Sequence, residues 1–472
     1  EAFDTACGGT PTAMELAARP LATFPFASHE RTWLETDTDA GRLVLAVDPS
    51  RPGAEAAIGA PVDVWVVEDR DAAGWEADPQ LVDVRGAAQT VTLPGPGLAG
   101  AIATIDGPLL GDLGLSFGIA YDLVVDVDRD GVLGDGDLID GLDGPGLHVV
   151  GDTTAPGPLE IGTTIYSSGQ AFGGHIVRFP LEGGPYPLVV ISHGNGHSYT
   201  WYRWLQEHLA SYGYVVTSHQ NETQPGIETA STTTLLNTDF TVGNRDTIAS
   251  GALAGKIDPN AIIWIGHSRG GEGVVRAYDR IRDGDFVPTS FDLEDVRLIS
   301  SIAPTDFLGA GPATPGLATY HLVYGAGDGD VSGDPDCAVC QSYSLFERAN
   351  GERYATYLHG ADHNDFNCCG FNDYCFQQPG CPPALGRDAV QQIAKGMYLA
   401  LLEHVVRGRE HAGDFLVRPW EELRPIGAPE STVVHELRRD PAVPGSEAFV
   451  IDDFQTQSSI STSSSGGAVT GD

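Results

Sequence analysis

Short apolar runs separated by turn residues open the chain, and a different rhythm follows them. Between 42 and about 125 the apolar segments are Leu43–Val47, Val62–Val67, Gln89–Leu93 and Phe117–Val125, punctuated by turns such as Pro94-Gly95-Pro96-Gly97. Strands of this length and spacing predict an all-β, sandwich-like unit of immunoglobulin size. Pro156-Gly157-Pro158 reads as a linker. Beyond it, apolar strands at Leu188–Ile191, Tyr214–Thr217, Ala261–Ile265, Leu298–Ile302, His321–Tyr324 and Tyr354–Leu358 alternate with helical segments. The predicted helices are Tyr199–Ser211, Val242–Ala254, Ser268–Arg282 and Asp388–Arg407. The last carries Val390, Ile393, Ala394, Met397, Leu401 and Val405 at helical spacing. Buried strands alternating with helices predict an α/β architecture with a mostly parallel sheet covered on both faces. The expected organisation is a leader over 1–35, the β unit over 36–155, the α/β unit over 156–430 with a cysteine-rich insertion at 337–381, and a tail or the start of a further module over 431–472.

Composition narrows the function. The 472 residues are 41% hydrophobic, enough for packed cores, so global disorder is excluded. No apolar run approaches the roughly 20 residues of a membrane-crossing helix. The 65 acidic residues outnumber the 26 basic ones, for a net charge of −39. Such a surface repels phosphate backbones and anionic lipid heads, so nucleic acid and membrane surfaces are not expected partners, and a monomer is expected.

Of the 7 cysteines, Cys7 stands alone, while Cys337, Cys340, Cys368, Cys369, Cys375 and Cys381 lie close together. Zinc usually takes two CxxC or CxxH pairs, and only Cys337–Cys340 has that form. Disulfides are the expected reading, which implies an oxidising, extracellular compartment. Adjacent Cys368 and Cys369 are expected to take separate partners. The start at Glu1 rather than Met is what a trimmed mature chain would show.

The chemistry is carried by four segments. Ala261–Ile265 runs into Gly266-His267-Ser268-Arg269-Gly270, followed by a helix. Strand, Gly-x-Ser-x-Gly and helix form a nucleophile elbow, which lifts the Ser268 hydroxyl clear of a sheet at a helix N-terminus. Pro187–Ile191 runs into Ser192-His193-Gly194-Asn195-Gly196, a loop suited to aiming a backbone N–H at a developing oxyanion. The backbone N–H groups of Asn195 and Arg269 are the candidate oxyanion donors. His193, Gly194 and Trp201 are candidate substrate contacts, although Trp201, Tyr202 and Trp204 together also suit a core. His321–Tyr324 leads to Gly325-Ala326-Gly327-Asp328-Gly329-Asp330, making Asp328 the candidate acid ahead of Asp330. Asp306, also placed after an apolar strand, is a third candidate. Tyr354–Leu358 leads to His359 and then Gly360-Ala361-Asp362-His363. His363, in the loop, is the candidate base; His359 ends the strand and is expected to be packed.

The order Ser268, Asp328, His363 is that of α/β-hydrolases and differs from the chymotrypsin-like and subtilisin-like orders. With Ser-His-Gly-Asn-Gly at 192–196, Gly-His-Ser-Arg-Gly-Gly at 266–271, Gly-x-x-Asp at 325–328 and Gly-Ala-Asp-His-Asn at 360–364, residues 160–410 resemble that superfamily. The resemblance is to its dienelactone-hydrolase-like and polyester-hydrolase-like secreted branches. It implies an α/β-hydrolase fold and a serine ester hydrolase that needs no cofactor for catalysis, with an ester, small or polymeric, as substrate. The same triad also serves peptidases and thioesterases, and a non-catalytic binding protein on this fold is the alternative of a different class. The cysteine-rich stretch 337–381 departs from the pattern and lies across the acid and base loops.

A last motif lies outside the α/β unit. Asp126-Val127-Asp128-Arg129-Asp130-Gly131-Val132 ends, at its twelfth position, on Asp137. That is D-x-D-x-D-G with a final carboxylate, a calcium loop of the EF-hand type in which Asp126, Asp128, Asp130, Asp137 and the Val132 carbonyl are the candidate ligands. A structural calcium ion is expected there.

Overall fold

The computed structural model describes residues 33–35, 43–47, 54–95, 102–105, 109, 114, 116–139, 146–334, 336–375, 381–417, 429 and 433–439. Cys7, most of the expected leader and the Ser/Thr/Gly-rich tail lie outside them.

The first strands are β1 (Trp33–Glu35), β2 (Leu43–Ala46) and β3 (Pro61–Glu68), then helix α1 (Ala72–Ala77), β4 (Gln89–Thr92), β5 (Ile102–Ile105), β6 (Ile119–Asp126), β7 (Leu138–Ile139) and β8 (Leu147–Val150). Six of them form a sheet of order β1-β8-β6-β3-β4, with β7 added on β6, and β2 pairs with β5 alone. Strand β3 alternates in the expected way. Val62, Val64 and Val66 face a core shared with Leu45, Ile105, Leu123 and Val125, while Val67 joins Trp75, Val124 and Ile139 on the other side. Helix α1, which supplies Trp75, was not expected in an all-β unit. Strand β1 pairs in parallel with β8, so the expected leader contains a sheet strand at 33–35. Three residues are too few for an alternation pattern to show.

The rest of the described chain forms β9 (Ile161–Ser167), β10 (Gly174–Pro180), β11 (Tyr186–Ser192), α2 (Arg203–Ser211), β12 (Val215–His219), α3 (Ile227–Gly243), β13 (Ile257–His267) and α4 (Arg269–Arg282). There follow β14 (Val296–Ile302), β15 (Tyr320–Gly325), α5 (Tyr343–Arg348), β16 (Glu352–Leu358), α6 (Arg387–Val405), α7 (Glu410–Val417) and β17 (Val433–Arg439). Nine strands make one sheet in the order β17-β16-β15-β14-β13-β11-β12-β10-β9. The run from β12 to β16 is parallel, with antiparallel strands at both edges. Its central strands are apolar on both faces because helices cover both. Val189 and Ile191 pack with α2 and α6 residues such as Leu205, Leu209 and Ile393. Leu188 and Val190 pack with Leu235 of α3 and Val274 and Val275 of α4.

Two expectations fail here. The chain from 433 to 439 is a strand of this sheet, so the unit extends beyond the expected boundary at 430. The helix expected at Val242–Ala254 is instead α3, which ends at Gly243. Helix α3 is rich in Thr, and its buried hydroxyls bond backward within the helix, as Thr234 Oγ1 does to the Ala230 carbonyl at 3.0 Å. Polar residues satisfied in this way are buried and erase the apolar periodicity that would have revealed the helix.

After β11 the chain adds β12 on one side and β13 on the other. That reversal is a topological switch point, where the carboxyl ends of neighbouring strands open a crevice. The segments after β11, β12 and β13 meet there.

Candidate active site

Ser268 sits in the turn between β13 and α4 with φ 55° and ψ −124°. A non-glycine residue in this region carries strain of about 1–3 kcal/mol. The turn is held by the Ser268 N–H donating to the Ile302 carbonyl at 2.9 Å. A Cβ on Gly266 would run into the Gly270 carbonyl, and one on Gly270 into the Ser192 carbonyl, so only glycine fits at either position. The following residue, Arg269, opens α4, where a backbone N–H has no acceptor within the helix.

His363 lies after β16 and is buried. Its Nδ1 bonds Asp328 Oδ2 at 2.8 Å. The other Asp328 oxygen accepts the N–H groups of Asp330 at 2.9 Å and Val331 at 2.7 Å, which locks the carboxylate in place. His363 Nε2 is buried with no hydrogen-bond partner among the described residues; Asp330 Oδ2 is 3.5 Å away on a side chain that is 60% exposed. Asp306 is engaged elsewhere, in a two-pronged pair with Arg348 at 2.7 and 2.9 Å. Burial pushes the His363 imidazole down, but the charge and hydrogen bond of Asp328, with the charges of Asp330 and Asp362, outweigh it and hold it above its ordinary value. Burial, with the neighbouring charges of Asp328 and Asp365, pushes the Asp362 carboxyl up to about 7. His359, expected to be packed, is exposed, because β16 ends at Leu358 and Gly360 turns the chain at φ 88°.

The loop after β11 runs against Ser268. A Cβ on Gly194 would lie 2.8 Å from the Ser268 Cβ. Asn195 is exposed, and its Oδ1 accepts from Gln224 Nε2 at 2.7 Å and Thr223 Oγ1 at 3.3 Å. His193, a candidate substrate contact, is instead buried and used internally: its Nε2 accepts the Asn221 N–H at 3.0 Å and its Nδ1 faces the Gly194 carbonyl at 2.8 Å. Asn221 Nδ2 in turn donates to the His193 carbonyl at 2.9 Å. Residues 221–224 therefore brace the loop, a role the sequence reading missed. Their position after β12, beside the switch point, was the available signal.

Two more histidines crowd the site. Tyr202 Oη is 3.0 Å from both His197 Nδ1 and His267 Nδ1, and the His267 ring lies 4.9 Å from that of His363. Burial holds His197 down to about 3 and His267 well below its ordinary value, so both are neutral around pH 7. Trp201 is half-buried against the His197 ring, at 5.4 Å, while Tyr202 is fully buried. Glu272, one turn into α4, accepts from Thr305 Oγ1 and from the N–H groups of Phe307 and Leu308, anchoring the loop after β14.

The clustered cysteines form Cys337–Cys340, Cys368–Cys369 and Cys375–Cys381 disulfides. The adjacent pair thus corrects the expectation that Cys368 and Cys369 take separate partners. Asn367 Oδ1 accepts the N–H groups of Cys369 and Gly370, a tight turn that brings the two neighbours together. The segment packs onto the acid loop, where the Cys375 N–H donates to the Gly327 carbonyl at 3.3 Å.

In the acidic loop, carboxylate oxygens of Asp126, Asp128 and Asp130 lie within 4.8 Å of one another. Asp126 also accepts the N–H groups of Arg129, Asp130 and Gly131, which curls the loop. Asp137 accepts the Val127 N–H at 2.7 Å and the Gly134 N–H at 2.8 Å, and burial with the charges of Asp126 and Asp128 pushes it up to about 6. Three convergent hard-oxygen donors suit a calcium ion.

Ser268, Asp328 and His363 lie in that chain order after the carboxyl ends of β13, β15 and β16, an arrangement similar to that of α/β-hydrolases. Comparison with known proteins narrows the likeness. Residues 144–286 match the family model described as PET hydrolase-like. Over 110 residues, 23% of this chain, the protein is 32% identical to Cutinase 2 of Thermobifida cellulosilytica, covering 40% of that relative. The same identity is found with Cutinase cut1 of Thermobifida fusca, over 33% of its length, and Cutinase est2 of Thermobifida alba, over 35%. The chain thus spans a third to two fifths of the curated relatives it matches. It resembles the polyester-hydrolase-like α/β-hydrolases. No helix among the described residues is long and apolar enough to cross a membrane.

Proposed function

We propose that this protein is a secreted serine hydrolase that cleaves carboxylic esters, polyesters among them. The observation that carries the reading is Ser268, held at positive φ on the elbow, next in the chain to His267, whose ring lies 4.9 Å from that of a His363 whose Nδ1 is fixed by Asp328. His363 Nε2 takes the Ser268 proton, and the oxygen attacks the ester carbonyl. The backbone N–H groups of Asn195 and Arg269 hold the oxyanion. The C–O bond breaks, the alcohol leaves with the proton from His363, and water then releases the acid by the same route. The cutinase-named relatives and the PET hydrolase-like match support ester cleavage. The three disulfides support an oxidising compartment. The β strands before the linker form, in this reading, a sandwich-like accessory unit stiffened by calcium at Asp126, Asp128 and Asp130, with Asp137 and the Val132 carbonyl completing the set.

The test is labelling by a fluorophosphonate probe, alongside turnover of p-nitrophenyl esters of increasing acyl length and of a solid polyester, for the wild type and Ser268→Ala. The wild type should label and turn over, and the variant should do neither while keeping its circular dichroism. Substantial activity in the folded variant overturns the reading. Faster turnover of a matched thioester or peptide substrate would move the protein to another acyl-transfer class.

A further inference from the structure

We propose that Arg269 makes this site selective for esters whose acyl half carries a second carboxylate, such as half-esters of dicarboxylic acids and polyester chain ends that finish on a diacid unit. The inference rests on the esterase reading and adds the charge and orientation of the substrate.

The departing alcohol takes its proton from His363 Nε2, so the alcohol half lies on the His363 side. That side is acidic: Asp328, Asp330 and Asp362 all act on His363, and Asp373 is raised by burial and by the charges of Asp330 and Asp328. An anionic alcohol half is repelled there. The acyl half points away, past the residue that follows the nucleophile.

On that flank the Arg269 guanidinium lies 5.1 Å over the Phe307 ring, and its Nη1 donates to the Thr223 carbonyl at 3.0 Å. These two contacts fix the side chain and leave it donors to spare, since a guanidinium has five. Although the chain has 65 acidic residues, no carboxylate lies within ion-pair distance of Arg269 among the described residues. Phe307 opens onto a cavity of about 610 Å³ whose walls include Pro225, Ile227, Leu308 and Val339. Glu228, its one carboxylate, is paired with Arg276 at 2.8 Å. An apolar spacer fits those walls while its terminal carboxylate meets the guanidinium. The Phe307–Leu308 wall is held from below by Glu272, at 2.8 and 3.0 Å to the two N–H groups.

The test compares the mono-p-nitrophenyl ester of a linear dicarboxylic acid with the same ester whose free carboxyl is methylated, for the wild type and for Arg269→Met. The wild type should prefer the anionic ester, the preference should shrink as salt is raised, and the anionic-to-neutral ratio of kcat/KM should fall about 10- to 100-fold in the variant, the range of one charge-assisted hydrogen bond. Moving the carboxylate to the alcohol half, as in the p-nitrobenzoyl ester of an ω-hydroxy acid, should abolish the wild-type preference. An unchanged ratio in Arg269→Met, or a wild type that prefers the neutral ester at low salt, overturns the proposal and leaves the esterase reading intact. A wild type that labels with no fluorophosphonate and turns over none of these esters overturns both.

Discussion

Asp328 Oδ2 meets His363 Nδ1 at 2.8 Å, whereas Asp330, two residues on, stands 3.5 Å from the opposite ring nitrogen. The two carboxylates thus face different ends of one imidazole. Only the first fixes the tautomer that leaves Nε2 free to accept a proton. Asp328→Asn should lower kcat by about 10³- to 10⁴-fold, while Asp330→Asn should cost less than about tenfold. Asp306→Asn should lower the melting temperature through its lost pair with Arg348 and leave kcat nearly unchanged. Steady-state kinetics on the three variants decides, and a larger loss for Asp330→Asn would move the acid by two positions.

The same surroundings set the pH dependence. His363 is held above its ordinary value, and the base works only when neutral, so kcat/KM should rise with pH through an inflection above about 6.5. Stability should run the other way. A histidine raised in the folded state contributes stability below its unfolded pKa, and that contribution is lost as pH climbs through the folded value. Asp362, raised to about 7, likewise loses stability as pH climbs from the ordinary carboxylate range toward that value. The melting temperature should therefore fall over the range in which activity grows. Asp330→Asn should shift the kinetic inflection downward, because it removes one of the charges that raise His363. A kinetic inflection below the ordinary imidazole value of about 6.5 would contradict this balance.

Reduction of the disulfides should loosen the wall of the acid loop. Cys375–Cys381 closes a loop of six residues, and a closure of that size constrains the unfolded chain by about 2 kcal/mol. Tyr374 and Asp373 precede it and pack against Gly327 and Gly329. Cys375→Ser with Cys381→Ser should lower the melting temperature and reduce kcat, measured by calorimetry and steady-state assay. Unreduced peptide maps should show the three local bridges, including the adjacent Cys368–Cys369 pair.

Calcium should stabilise without catalysing. Convergent carboxylates at Asp126, Asp128 and Asp130 repel one another without a cation, and an ion well above its dissociation constant stabilises the folded state by the logarithm of that ratio. Chelation should lower the melting temperature and leave initial rates at low temperature nearly unchanged, and Asp128→Ala should mimic it. Immediate loss of activity on chelation, restored by calcium before unfolding, would put the ion in the chemistry.

Local chemistry was legible in the chain itself. The elbow at Gly266-His267-Ser268-Arg269-Gly270 is recognisable because its sterics act between residues four apart, and the central strands because both their faces are apolar. The choice among Asp328, Asp330 and Asp306 was not local: it depends on which carboxylate ends beside an imidazole 35 residues away from Asp328, and on Arg348 engaging Asp306. Neither were the strands at 33–35 and 433–439, whose backbone pairing leaves little trace in side-chain pattern. Helix α3 stayed hidden because its threonines satisfy their own hydroxyls and so bury without being apolar. The brace at residues 221–224, the adjacent-cysteine disulfide and the place of Arg269 over Phe307 all arise from contacts between segments that only the folded sheet brings together, since hydrogen bonds and packing act over ångströms of space whatever the separation along the chain.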